Sequence, residues 1–116
     1  VINKLKKDFS ISMIVLWKNL FEADQLMEKL WRMIVGSNGI KSFGDIINWT
    51  KANAEIDRKN NRIIIKGDLD LENSAAEDLP EELYVDGDIK IDQRLNGAAR
   101  KLKREGKIQG KVILDL

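Results

Sequence analysis

Three segments in the C-terminal half align on a glycine. They are Ile65-Lys66-Gly67-Asp68-Leu69-Asp70-Leu71-Glu72, Val85-Asp86-Gly87-Asp88-Ile89-Lys90-Ile91-Asp92 and, more loosely, Ile108-Gln109-Gly110-Lys111-Val112-Ile113-Leu114-Asp115. The glycines lie 20 and then 23 residues apart. Such a recurrence constrains the fold strongly, because every copy must bury the same face and copies do so by stacking on one another. In each copy an aliphatic residue stands two before the glycine and others stand two and four after it. One face is therefore apolar and the other mostly charged, the pattern of a half-buried strand. Glycine weakens a strand interior, so its return at the same place predicts a shared bulge or a close backbone approach.

The connections extend this reading. Asn73 to Leu83 joins the first copy to the second; Arg94 to Gly106, which has helix-forming residues and ends in Gly, joins the second to the third. Connections of that length suit parallel crossovers better than tight hairpins. Asn60-Asn61 supplies turn chemistry and joins Ala54-Glu55-Ile56-Asp57 to the first copy as a hairpin.

Upstream the period changes to that of a helix. From Ile11 to Val35, Met13, Trp17, Leu20, Met27, Leu30, Trp31 and Ile34 fall near one face, and the polar Glu22-Ala23-Asp24-Gln25 is either exposed surface or a break between two helices. Gly36 is placed to end the helix and Asn38-Gly39 to turn the chain. Ser42 with Asp45 resembles a capping box opening a shorter helix that carries Phe43, Ile46, Ile47 and Trp49. The expectation is an α+β fold in which N-terminal helices pack on a small, partly parallel, repeat-derived β-sheet. One domain spans residues 1–116, helical over about 1–53 and β-rich over about 54–116.

The stretch Leu79-Pro80-Glu81-Glu82-Leu83-Tyr84-Val85-Asp86-Gly87-Asp88-Ile89-Lys90-Ile91 resembles the short repeats of bacterial and bacteriophage leucine-rich-like proteins, whose unit looks like LPxxLxVxGDLxLxx. The resemblance covers roughly half of the chain: one good unit, a half-unit at Ile64 to Glu72, and a third copy without the leading Leu-Pro. It implies a solenoid that serves as a binding or scaffold surface, and it carries over no catalytic residue.

Chemistry narrows the field further. The chain has no Cys and no His, which removes thiolate nucleophiles, imidazole bases and the usual zinc sites, so no enzyme activity, cofactor or metal is expected. Asp68, Asp70, Glu72, Asp86, Asp88 and Asp92 are carboxylates, but no calcium-loop spacing joins them, and a charged outer face is what a one-sided sheet needs in water. Gly36-Ser37-Asn38-Gly39 lacks the Lys and the preceding strand of a phosphate loop. Lys4, Lys6 and Lys7 precede the apolar run Phe9 to Trp17, which is too short to span a bilayer and lacks a small-residue cleavage site, so a cytoplasmic, non-membrane protein is expected.

Two surfaces remain as binding readings. The helical segment is apolar on more than one side, and Trp17, Phe21, Trp31 and Met33 are the residues expected to meet another protein or a second copy of the chain. The leading expectation is thus a non-enzymatic interaction module, such as a phage- or bacterium-encoded adaptor, inhibitor or assembly subunit. The alternative is nucleic-acid binding. Ten acidic residues between Arg62 and Asp92 give way to seven basic ones between Arg94 and Lys111, and Arg94, Arg100, Lys101, Lys103, Arg104 and Lys107 are placed to neutralise phosphates.

Overall fold

The structure is a computed structural model that describes residues 25–114. In chain order these form α1 (Gln25–Ile34), α2 (Phe43–Asn53), β1 (Ala54–Asp57), β2 (Arg62–Ile65), β3 (Leu69–Asp70), β4 (Leu83–Val85), β5 (Ile89–Ile91), a 3-10 turn (Gln93–Leu95), α3 (Asn96–Arg104) and β6 (Val112–Leu114). The fold is α+β. The proposed helix upstream of Gln25 and the basic-apolar N-terminal run lie outside the described residues.

The first two glycine-centred segments each form two short strands rather than the single strand their alternation suggests, and the third forms one strand preceded by a lone bridge residue, Ile108. β1, β2 and β4 make one three-stranded sheet, and β3, β5 and β6 make a second. The glycines mark the corner between the sheets. The corner is invisible to a period-two reading because Gly and its successor take up two residues: Ile65 and Leu69 both point inward, as they would along an unbroken strand, but from different sheets. Pairing is parallel for β2 with β4, β3 with β5 and β5 with β6, as the long connections require, and Ile108 continues the first sheet through one parallel bridge to Val85. β1 and β2 form the antiparallel hairpin, turned at Asn61 with φ +55.

Stacking places like residues over like. Register pairs Ile63 with Leu83 and Ile65 with Val85 in one sheet, and Leu69 with Ile89 with Val112 in the other. The first two rungs are fully enclosed, with Ile63, Ile65, Leu71, Leu83, Val85, Ile89 and Ile91 inaccessible to solvent. Burying each such side chain contributes about 1.5–3 kcal/mol over leaving it in water, so this aliphatic stack is the main source of stability. The third rung is thinner: Val112 and Leu114 are half-buried, and Ile113 on the outer face is 40% exposed.

α1 and α2 close the first rung. Ser42 Oγ accepts from the Asp45 amide while the Asp45 carboxylate accepts from the Ser42 amide, the capping box that starts α2. α1 ends at Gly36, where φ is +89 and a Cβ would stand 2.7 Å from the Asn73 carbonyl. Glycine is needed there both for the left-handed turn and for the close approach. α3 follows the 3-10 turn, packs against β5 and β6 through buried Ala99 and Leu102, and is closed by Gly106 with φ +77.

Candidate protein-binding site

The segment after β3 returns along α1 and fastens to its C-terminal end. Ser74 Oγ donates to the Met33 carbonyl at 2.5 Å and accepts from the Ala76 amide at 3.0 Å, and the Ala75 amide donates to the Val35 carbonyl at 3.1 Å. Farther up the helix, Lys29 Nζ reaches Glu82 at 2.6 Å, and this hydrogen bond holds the Glu82 carboxyl below its ordinary range. Between these attachments a groove of about 500 Å³ remains, lined by Trp31 and Met33 from α1, by Ala75, Ala76, Leu79 and Pro80 from the returning segment, and at its edges by Lys29, Arg32, Glu77 and Asp78.

Trp31 and Met33 are the two described members of the proposed protein-binding set; Trp17 and Phe21 lie outside the described residues. Neither is the exposed apolar surface expected of it, since each is 1% exposed. The reason is that α1 is covered twice, by β2 on one side and by the Ser74–Pro80 segment on another, so residues off the main stripe such as Leu26 and Met33 are buried as well. What the pair contributes is the floor of the groove. Trp31 Nε1 is buried and has no hydrogen-bond partner among the described residues. A buried donor left unpaired costs about 1–3 kcal/mol, and most buried donors in folded proteins are paired, so this indole is the least satisfied group of the site.

The basic set is distributed differently. Arg94 forks onto Asp92 at 2.8 Å and donates to the Ser74 carbonyl at 3.0 Å, which holds the Asp92 carboxyl below its ordinary range. Lys103 Nζ donates to the carbonyls of Ile108 and Gly110, Lys107 Nζ to that of Glu81, and Arg100 to Asn96. Lys101 lies 3.7 Å from Glu81, and exposed Arg104 has no such bond among the described residues. The helix thus carries its charge into local contacts, chiefly with loop acids and carbonyls rather than with the acidic strands. A phosphate backbone would have to compete with those contacts.

The acidic residues are similarly engaged. Asp68 Oδ1 accepts from the Asp88 amide, Asp88 Oδ1 from the Lys111 amide, and Asp70 Oδ1 from the Glu72 amide; Glu72 pairs with Lys90 at 3.3 Å. Among the described residues no three carboxylates converge as a metal ion requires, and no helix is long and apolar enough to cross a membrane.

In the sequence the groove wall from Ala75 to Pro80 reads only as a connection, and Leu79-Pro80 is its one visible signal. No family model matches the chain, and no similar curated protein or solved structure is found.

Proposed function

We propose that this chain is a non-enzymatic protein-binding module of the leucine-rich-like kind, which receives a segment of a partner protein in the groove between α1 and Ala75–Pro80. The observation that carries the reading is the buried indole N–H of Trp31, unpartnered among the described residues, on a side chain that lines the groove. A peptide carbonyl entering the groove would accept from it. The indole N–H is already out of water, so the desolvation cost falls on the incoming carbonyl alone, and the contact requires the groove floor to open slightly over the buried indole. The floor is apolar and aromatic and the rim charged, the division of labour common to protein interfaces. The stacked strands behind it form a rigid support, which limits the conformational cost of binding.

The test is affinity capture with the parent chain and with Ala75→Phe. Ala75 is an exposed groove-lining residue, so the larger side chain fills the groove without entering the core. Support would be a partner captured by the parent and by Arg104→Ala but lost with Ala75→Phe, together with a downfield shift of the Trp31 indole proton on binding. Retention by Ala75→Phe with no change at that proton rules the groove out. Capture of nucleic acid that weakens steeply with salt and is lost with Arg100→Ala and Arg104→Ala would favour the basic helix instead.

A further inference from the structure

Three dipeptides of the described chain have the sequence that closes most readily to a succinimide, an Asn or Asp followed by Gly: Asn38-Gly39, Asp86-Gly87 and Asn96-Gly97. The reaction needs the glycine nitrogen to reach the side-chain carbonyl carbon of the preceding residue, so the backbone setting of each pair decides its fate. The Gly87 amide donates to the Gly67 carbonyl at 3.0 Å inside the stacked corner, which withholds its nitrogen. Asn96 has helical φ −60 and ψ −45, and its Oδ1 accepts from Arg100 at 3.0 Å, which turns the side chain along α3 and away from the Gly97 nitrogen. Asn38-Gly39 lacks the first protection, and its side chain is held through Nδ2 alone, which donates to Ser37 Oγ and the Asp70 carbonyl and leaves Oδ1 without a bond among the described residues. Both residues are exposed with positive φ, +56 and +69, the Gly39 amide makes no hydrogen bond among the described residues, and none of these beyond its chain neighbours lies within 4 Å of where a Gly39 side chain would begin.

From this comparison we infer that Asn38 is a site of spontaneous deamidation in the folded protein. The Gly39 nitrogen, losing its proton to solvent base, bonds to Asn38 Cγ; the Cγ–Nδ2 bond breaks and ammonia leaves. Water then opens the ring at either carbonyl, breaking one imide C–N bond and leaving aspartate or isoaspartate. The product has a structural consequence. Asn38 Nδ2 donates to the Asp70 carbonyl at 3.0 Å and to Ser37 Oγ at 2.9 Å, fastening the turn after α1 to the outer edge of β3. A carboxylate in its place has no proton to donate and repels the Asp70 carbonyl, so modification releases the turn from the sheet.

The experiment is peptide mapping by mass spectrometry of the intact chain incubated folded, at neutral and at mildly alkaline pH, beside the same chain kept unfolded in denaturant. The expected result is an amide-to-acid mass gain with isoaspartate at Asn38, faster at the higher pH. It should precede any change at Asn96 or Asp86 in the folded chain, whereas the unfolded chain reacts at more than one of the three. Reaction first at Asn96 or Asp86 in the folded chain, or at Asn38 only after unfolding, would overturn the inference. A melting temperature of Asn38→Asp equal to that of the parent would remove its structural consequence.

Discussion

The carboxylate of Asp68 occupies the space that a Cβ on Gly87 would need. That is why the two residues recur as a pair one rung apart. The missing side chain at Gly87 admits Asp68, whose Oδ1 then accepts from the Asp88 amide at 2.7 Å, while the Gly87 amide donates to the Gly67 carbonyl at 3.0 Å. One rung down the same contacts return: Asp88 stands where a Cβ on Gly110 would be, its Oδ1 accepts from the Lys111 amide at 2.7 Å, and the Gly110 amide donates to the Gly87 carbonyl at 2.9 Å. The glycine is required by the neighbour above it and not by a left-handed backbone, since none of the three corner glycines has positive φ.

The corner glycines are therefore unequal. A Cβ on Gly87 would come within 2.8 Å of the Gly67 carbonyl carbon, and one on Gly110 within 2.5 Å of the Gly87 carbonyl, whereas Gly67 begins the stack with nothing near it. Gly87→Ala and Gly110→Ala should each lower stability by roughly 1–3 kcal/mol, because backbone must shift to admit the methyl. Gly67→Ala should change it by less than about 0.5 kcal/mol. Urea midpoints of the three variants check the order; equal losses at all three would mean that stacking is not the cause.

The stack also carries its own stop. Gly110 has no fourth rung among the described residues, and its carbonyl accepts instead from Lys103 Nζ at 2.6 Å, where the amide of a next glycine would stand. Lys111 replaces the Asp of the earlier copies, so no carboxylate awaits a further amide. At the other end the Gly67 and Asp68 amides make no hydrogen bond among the described residues. Restoring the pattern with Lys103→Ala and Lys111→Asp should let β6 of one molecule pair with the outer edge of β3 of another, since β1 already covers the outer edge of β2, an open head-to-tail contact. Sedimentation should show the double variant heavier than the parent at equal concentration; an unchanged mass would remove the blocking role.

Much of this fold could be read from residues whose roles are local. Ser42 with Asp45, Gly36, Asn38-Gly39 and the hairpin turn at Asn61 each act within a few positions, and the parallel pairing followed from connection length. The second sheet was hidden because Gly67-Asp68 bends the chain without breaking the inward alternation of Ile65, Leu69 and Leu71. The groove was hidden for a different reason. Helical periodicity points to Trp31 and Met33 on an apolar segment with more than one oily side, but their burial depends on Ser74 and Ala75 closing over Met33 and Val35, a contact across about forty positions that no period records.

Acid sensitivity should concentrate at the hairpin. Asp57 accepts from the Asn60 side chain at 2.9 Å, from Arg62 at 2.6 Å and from the Asn60 amide at 3.1 Å, and these bonds, the Asn60 side chain foremost, lower its pKa from 3.8 to about 2. A folded-state value below the unfolded one means that the carboxylate stabilises the fold fully above pH 3.8 and loses that contribution as the pH falls through about 2. Asp57→Asn should therefore flatten the fall of stability across that interval while leaving its slope near neutrality unchanged. Urea midpoints against pH for the two chains decide it, and parallel curves would show that the hairpin does not carry the effect.

Ser74 ties groove to fold most directly. Its buried hydroxyl donates to the Met33 carbonyl and accepts from the Ala76 amide, so removing it orphans two buried backbone groups at once. Ser74→Ala should cost about 1–3 kcal/mol for those unsatisfied groups, and Ser74→Thr, which keeps the hydroxyl, should cost less. The loss should also loosen the Ala75–Pro80 wall over Trp31, so the indole N–H should exchange with solvent faster in Ser74→Ala than in the parent, and partner capture should weaken in step. Faster exchange at Trp31 with undiminished capture would separate the wall from binding. Unchanged exchange despite the lost stability would show that the wall is held elsewhere, by the Ala75 amide on Val35 and by Lys29 on Glu82.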